Sequence, residues 1–193
     1  MLQLNVLNNL NSQTYLTKPT VRIGIIGNGT DKFNTYQIPR VKAIIRDLFR
    51  IYAPCILVSG RSPRGGVDQW SEEIAIELGI PTDIKAPKCD FCKVPFQYKG
   101  MPLCIDNHQH HFSWPGKYGF KKRNIDIAKS STIVFNILSN EYPLTFKGWK
   151  SVYCKHCGKD AHHVQSGACW TSYKAVEFGH QARWLVVAER HVP

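Results

Sequence analysis

Two features are missing from this 193-residue chain: a long apolar run and an N-terminal leader pattern. No stretch of about 18 consecutive apolar residues is present, and a membrane-spanning helix would need one. The first residues do not combine a charged start with an apolar segment, as a secretory signal does. We therefore expect a soluble, cytoplasmic protein without a membrane partner.

Acidic residues are also scarce. Lys and Arg together number 25 against 14 Asp and Glu, so the formal net charge is +11. Positive charge concentrates anions near a surface, and this balance favours a nucleotide or a nucleic acid as partner. The alternative is a generally basic, soluble surface, because the basic residues are spread along the sequence rather than clustered.

Hydrophobic periodicity predicts strands that alternate with helices. The predicted strands are 21–26, 55–58, 82–86, 132–138 and 183–188. This order predicts an α/β fold, with a Rossmann-like, mainly parallel sheet, helices on both faces, and ligands beyond the carboxyl ends of the strands. We expect residues 21–193 to form a single domain and residues 1–20 to be an N-terminal extension.

Three glycine-containing turns lie at that predicted edge. The first, SGRSPRGGVD at 59–68, joins a strand to a helix, and the others are 27–30 and a loop at 167–171 that precedes a helix. Glycine lets the backbone approach a ligand closely, and the free N–H groups of a helix start attract phosphate or carboxylate. We expect the turns to line one anion-binding pocket. The alternatives are that the 59–68 turn only connects two elements and that Asp68 is the N-cap of the next helix.

Cysteine and histidine point to a metal. Seven cysteines without a secretory segment argue for thiolate ligands rather than disulfides. The spacing of Cys89 with Cys92, and of Cys154 with Cys157, lets two thiolates bind one tetrahedral Zn²⁺. One arrangement is a single structural zinc site formed by both pairs. The other is two local sites, with further ligands from Cys104, His108, His162, His163 and Cys169. Buried cysteines or redox pairs are the remaining alternative.

Both cysteine pairs lie in predicted insertions, at 88–111 and 140–165. Each insertion follows a predicted strand, so both should emerge at the same edge of the sheet as the glycine turns. Such short segments bury little apolar surface, and a metal would supply their order. We therefore expect a zinc-held cover over the pocket, in which the metal is structural.

Several motifs follow one another in a characteristic order. They are Ser59-Gly60, Gly65-Gly66-x-Asp68, Ala75, Gly79-Ile80-Pro81, Trp114, Tyr118-Gly119, Arg123-Asn124, Gly167 and Thr171. From residue 21 onward this order resembles the SLOG superfamily of Rossmann-like proteins, which includes YspA-like proteins, DprA and the LONELY GUY phosphoribohydrolases. The resemblance implies a nucleotide pocket. Its candidate ligand-binding residues are Gly27, Asn28, Gly29, Ser59, Gly60, Arg61, Arg64, Gly65, Gly66, Asp68, Arg123, Asn124, Gly167 and Thr171.

One departure from this pattern concerns catalysis. The LONELY GUY enzymes carry a P-G-G-x-G-T-x-x-E loop, whose Glu helps to cleave an N-glycosidic bond. Here Lys174 stands three residues after Thr171, and a cation cannot stabilise an oxocarbenium-like transition state as a carboxylate does. Asp68 and Glu72 remain acid–base candidates. We expect a nucleotide sensor or sequestering protein, with a nucleoside-phosphate N-glycosidase as the alternative.

A second alternative is a nucleic-acid-binding protein. The segment LCIDNHQH at 103–110 resembles the D-H-x-H core of HNH-type nucleases, although the second cysteine pair lies far from it in sequence. The resemblance to DprA implies single-stranded nucleic-acid binding, for which Trp114, Tyr118, Phe120 and the neighbouring lysines would be the contacts. A homo-oligomer is compatible with either function.

Overall fold

The computed structural model describes residues 20–99, 110–112, 119–139 and 167–187, together with the backbone of 153–154 and 159–160. The strands are β1 (Val21–Gly27), β2 (Cys55–Ser59), β3 (Thr82–Ile84), β4 (Ile133–Ser139), β5 (Tyr153–Cys154), β6 (Lys159–Asp160) and β7 (Gln181–Val187). The helices are α1 (Gln37–Ile51), α2 (Val67–Glu77), α3 (Phe120–Ser130) and α4 (Gly167–Glu177). No helix in these ranges is both long and apolar enough to span a membrane.

Five of the strands form one parallel sheet, in the order β3-β2-β1-β4-β7. The chain builds outward from β1 in one direction and from β4 in the other, so the order reverses between these two neighbours. Ligands of doubly wound sheets bind beyond the carboxyl ends of the strands at such a reversal. The predicted α/β fold with a parallel sheet is confirmed.

Helices cover both faces of this sheet. Alternate side chains of the strands, such as Ile23, Ile25 and Leu57, pack in the cluster that contains the buried residues of α1 and α2. Their neighbours Ile26 and Val58 point to the other face, in a cluster with residues of α3 and α4. Because each strand is buried on both faces, it has the continuous apolar sequence that made the strands recognisable.

Two predictions about helix starts are wrong. Residues 167–171 are not a loop, because α4 begins at Gly167 and buries Ala168 and Cys169 against the sheet. The Thr171 hydroxyl donates to the Gly167 carbonyl oxygen at 2.7 Å, which satisfies a backbone group within the helix. Asp68 is not an N-cap either: α2 begins at Val67, its N-cap is Gly66, and Asp68 lies in the first turn.

Parts of both predicted insertions and of the N-terminal extension lie outside the described residues. The described part of the second insertion is the antiparallel pair of β5 and β6, where strands were not predicted. Of Cys154 only the backbone is described. The predicted residues outside the described ranges are Cys104, His108, Trp114, Tyr118, Cys157, His162 and His163.

Candidate functional site

A cavity of about 320 Å³ lies at the carboxyl edge of the sheet, where β1 and β4 meet. Residues from all three glycine-containing segments contribute to its wall. Helix α3 adds the adjacent pair Arg123 and Asn124. The lining residues are Ile26, Gly27, Gly29, Lys32, Ser62, Arg64, Asp68, Phe112, Phe120, Arg123, Asn124, Gly167, Ala168 and Thr171.

The turn after β1 and the turn after β2 are packed directly against each other. The Thr30 N–H donates to the Arg64 carbonyl oxygen at 3.3 Å, and the Val67 N–H donates to the Asn28 carbonyl oxygen at 3.1 Å. Gly66 has a φ of 74°, and a Cβ there would overlap the Asn28 carbonyl oxygen. Only glycine permits both this backbone conformation and this approach.

Arg123 and Asn124 join the turn after β2 to the start of α4. The Arg123 Nη1 group is 3.3 Å from the Gly60 carbonyl oxygen and 3.5 Å from Asp68 Oδ2, and its Nε donates to Asn124 Oδ1 at 2.8 Å. Asn124 Nδ2 in turn donates to the Gly167 carbonyl oxygen at 3.1 Å. This chain of contacts fixes one wall of the cavity.

Several predicted ligand-binding residues lie behind the wall rather than on it. Glu72 is buried and accepts hydrogen bonds from the Ser59 hydroxyl at 2.8 Å and from Arg61 Nε at 3.0 Å, so these three side chains satisfy one another. Asn28 is buried, and its side-chain oxygen accepts the Ser139 N–H at 2.9 Å. The predicted residues that are not lining residues are Asn28, Ser59, Gly60, Arg61, Gly65 and Gly66.

Asp68 is the one carboxylate on the cavity wall among the described residues. Asp68 is only 4% exposed to solvent. Burial raises the pKa of the Asp68 carboxyl to about 6, even though Arg123 beside it favours the charged form. The group can therefore exchange a proton near neutral pH, which is the range in which general acids and bases operate.

The wall also carries cations that the sequence analysis missed or ranked low. Lys32 is 7% exposed, which is rare for lysine. Burial lowers the pKa of Lys32, Asp31 opposes this effect, and Arg64 adds to it. Lys32 lies in a short 3-10 turn that directly follows the glycine-containing turn after β1. Its place after that turn is the feature of the sequence from which a cavity position could have been predicted. With Arg64 and Arg123, Lys32 gives the cavity an excess of positive charge.

Two aromatic side chains, Phe112 and Phe120, complete the lining. The Arg123 guanidinium lies over the Phe120 ring, 5.2 Å from its centroid. Phe120 was predicted only as a nucleic-acid contact, and Phe112 was not predicted at all. Phe112 directly follows the first insertion, and nothing local in the sequence shows that this segment returns to the cavity.

The first insertion contains a group that can hold a metal. The Sγ atoms of Cys89 and Cys92 and a ring nitrogen of His110 all lie within 4.8 Å of one another. Burial alone would raise the pKa of the Cys89 thiol, but hydrogen bonds from the Cys92 backbone, the His110 ring and the His111 and Phe91 backbones lower it to about 5. The thiolate, which is the metal-binding form, is therefore favoured.

Both C-x-x-C pairs are closed by the same short antiparallel pairing. Lys88 pairs with Pro95 around the first, and Tyr153 pairs with Asp160 around the second. In each case the residue before the first cysteine pairs with the residue six positions after that cysteine. The two segments thus share this flanking pairing as well as the cysteine spacing.

Two of the predicted metal ligands lie together in the structure. Cys89 and Cys92 are brought together, and the third donor is His110, which belonged to neither predicted set. Cys169 packs in the core beside Leu138, with its Sγ atom 3.4 Å from Asn136 Nδ2. None of the four described cysteines, Cys55, Cys89, Cys92 and Cys169, forms a disulfide.

Comparison with known proteins gives little further guidance. No protein-family model matches the chain, and no curated protein sequence matches it significantly. A solved structure of DNA processing protein A from Helicobacter pylori, studied for its single-stranded DNA binding mode, is similar, with a TM-score of 0.47 and 16% sequence identity. The match covers 89% of this chain and 67% of that chain. No functional conclusion rests on a similarity of this size.

Proposed function

We propose that this protein binds a nucleotide or a nucleotide-derived phosphate ligand in the cavity at the carboxyl edge of the sheet. It acts as a sensor or a sequestering protein, in keeping with its resemblance to the SLOG superfamily. The observation that carries this proposal is the convergence of glycine-containing turns with Lys32, Arg64 and Arg123 around one cavity. Its volume of about 320 Å³ is at the lower end of the usual range for small-molecule sites, roughly 300–1,000 Å³.

Charge and backbone geometry both support an anionic ligand. Among the described residues, the wall carries three cations, Lys32, Arg64 and Arg123, and one carboxylate, Asp68, which lies next to Arg123. A phosphate would neutralise these cations, and their guanidinium and ammonium groups would donate hydrogen bonds to its oxygens. Gly27 and Gly29, the lining residues of the turn after β1, leave room for it because glycine has no side chain.

The first test is a binding measurement with nucleoside monophosphates. Native mass spectrometry of the purified protein would report any retained ligand, and calorimetric titration with AMP would give its affinity. We expect Lys32→Met to weaken AMP binding by about tenfold or more, because a charge-assisted hydrogen bond is lost. The control is Lys121→Met, which replaces an exposed lysine of α3 that does not line the cavity. It should leave the affinity within about twofold. Equal affinity in both variants would contradict the proposed site.

We assign zinc to the Cys89, Cys92 and His110 group. Two thiolates and an imidazole form a borderline-soft donor set that suits tetrahedral Zn²⁺ and does not suit Mg²⁺ or Ca²⁺. The fourth ligand is expected from the predicted candidates outside the described residues, either from the Cys154 and Cys157 pair or from Cys104 or His108. With four protein ligands the zinc would have a structural role.

One observation favours the alternative of a nucleoside-phosphate N-glycosidase. Asp68 is a buried carboxyl on the cavity wall that titrates near neutral pH. It would take a proton from water as the oxygen bonds to the sugar carbon, while the base leaves with the electrons of the N-glycosidic bond.

This alternative is tested by chromatographic detection of free base. Release of base from AMP or a related nucleotide, and its loss in Asp68→Asn, would establish the enzyme. Recovery of unaltered nucleotide after prolonged incubation would leave binding as the function. Glu72→Gln would disturb the turn after β2 as well as any acid–base role, because Glu72 binds the side chains of Ser59 and Arg61.

A further inference from the structure

The segment 110–112 connects the metal-binding group to the cavity. His110 provides a nitrogen to the group, and Phe112, two residues further along, lines the cavity. The residues on either side of this segment lie outside the described ranges. The described contacts that position the segment 110–112 are those made by its own three residues.

Those contacts are with the first C-x-x-C segment. The Asp90 N–H donates to the His111 carbonyl oxygen at 2.9 Å, and the Asp90 carboxylate is 3.0 Å from His111 Nδ1. The Cys92 Sγ atom is 3.3 Å from His110 Nδ1. The segment 110–112 thus lies alongside residues 89–92, and a shared metal ion would add to this attachment.

The Phe112 ring is positioned by the same part of the chain. It packs edge-on against Phe96, with ring centroids 5.6 Å apart and an interplanar angle of 88°. The His110 ring centroid is 6.3 Å from that of Phe112. Phe96 is itself fixed to the base of the C-x-x-C segment, because its N–H donates to the Pro87 carbonyl oxygen at 2.8 Å. Phe112 therefore contacts both a candidate metal ligand and a residue that flanks the metal-binding segment.

The cavity wall thus consists of two chemically different parts. Lys32 and Arg64, from the turns after β1 and β2, suit a phosphate. Phe112 and Phe120 offer flat apolar surface, which suits a nucleobase because every base can stack on an aromatic ring. The first part is built into the sheet edge, whereas Phe112 directly follows the first insertion.

We propose that metal bound by Cys89, Cys92 and His110 sets the affinity of the cavity for the base of a nucleotide, because it holds Phe112 in the cavity wall. This inference rests on the proposed function. It makes Phe112 a specificity-determining residue and makes the metal a requirement for base recognition. The phosphate-binding part of the wall does not depend on the metal.

The test compares two probes, AMP and ribose 5-phosphate, which share the sugar phosphate and differ in the base. Their affinities are measured by NMR titration, which reaches millimolar dissociation constants, for the full chain with metal and after chelation. The same titrations are made with Phe112→Ala and with Phe91→Ala. Phe91 is the matched control, because it belongs to the same metal-binding segment, is 63% exposed and does not line the cavity.

We expect Phe112→Ala and metal removal each to weaken AMP binding by about tenfold, since stacking of one base is lost. Neither change should alter the affinity for ribose 5-phosphate by more than about twofold, because that probe has no base. Phe91→Ala should leave both affinities unchanged. Metal content is measured for every variant, so that a loss of AMP affinity in metal-loaded Phe112→Ala is assigned to the ring itself.

Three results would overturn the inference. Unchanged AMP affinity in the chelated protein would show that the metal does not position the wall. Equal weakening of both probes in Phe112→Ala would show that the ring does not act on the base in particular. If chelation unfolds the chain, as circular dichroism would show, an unchanged AMP affinity in Phe112→Ala would still contradict the role of the ring. Failure of the metal-loaded wild-type protein to bind either probe would instead refute the proposed function.

Discussion

At the scale of single residues, the site is determined by buried charge and by backbone space. Asp68 and Arg123 lie next to each other with side chains 6% and 11% exposed, so neither charge is well hydrated. Such a pair is costly to bury and contributes little net stability, so its presence on a cavity wall points to function more than to folding. Gly66 is constrained differently, because a neighbouring carbonyl oxygen occupies the space of a Cβ.

The raised pKa of Asp68 predicts an unusual pH dependence of stability. Since the folded-state pKa of about 6 is above the ordinary value of 3.8, the folded chain binds the proton more tightly than the unfolded chain does. The resulting contribution is fully present below about pH 4 and is lost as pH rises through 6, by up to about 3 kcal/mol. Urea denaturation of wild type and Asp68→Asn from pH 4 to 8 measures it. Parallel stability curves for the two proteins would contradict the assignment.

A pair of glycine substitutions separates backbone strain from steric overlap. Gly79→Ala introduces a side chain at a φ of 66° with open space around it, and it should cost about 1 kcal/mol of unfolding free energy. Gly66→Ala has a similar φ but also places a Cβ against the Asn28 carbonyl oxygen, so its cost should be about 3 kcal/mol or more. Both values come from urea denaturation. Similar costs for the two variants would show that the contact between the turns is looser than described.

At the scale of elements, the hairpin around Cys89 and Cys92 and the segment 110–112 contribute no residue to the two apolar clusters on the faces of the sheet. The hairpin around Cys89 and Cys92 is held by the Lys88 and Pro95 pairing and by the Phe96 contacts. Small segments of this kind obtain much of their folding free energy from a bound metal. The helices and parallel strands do not need one, because their two apolar clusters are already buried.

Replacement of one thiolate should therefore affect the metal and not the sheet. We expect Cys92→Ser to lose about one equivalent of metal in elemental analysis, or to bind it at least about tenfold more weakly. The control is Cys55→Ala, which removes a buried core thiol in β2 and should keep the full metal content. Loss of metal from Cys55→Ala, or its retention in Cys92→Ser, would contradict the assigned group. The number of equivalents in wild type decides between one shared site and two local sites.

At the scale of the whole molecule, topology brings the site together. The sheet order reverses between β1 and β4, so the turns after β1 and β2 and the helices α3 and α4 meet at one edge. The first insertion returns to this edge through Phe112. A ligand there would contact both halves of the doubly wound fold and Phe112, as the proposed sensor function requires.

The sequence alone determined the class of fold, the glycine-containing turns and the cysteine pairs. Alternating apolar runs and helical periodicity are local signals, and parallel strands buried on both faces are unusually apolar, so β1, β2 and β4 were recognisable. The spacing of Cys89 and Cys92 is local as well. The helix that follows Thr171 was predicted, but its first turn from Gly167 was taken for a loop, because packing against the sheet is not local and favours a helical turn where glycine predicted a loop.

Only the tertiary structure decided which residues face the cavity. Arg61 and Arg64 lie in the same turn, yet Arg61 pairs with Glu72 behind the wall and Arg64 lines the cavity. Lys32 and Phe112 were missed, and His110 joins Cys89 and Cys92 although it was in neither predicted ligand set, because their neighbours are distant in sequence. The sequence encodes such contacts through the packing of the whole chain, and periodicity and spacing do not report them.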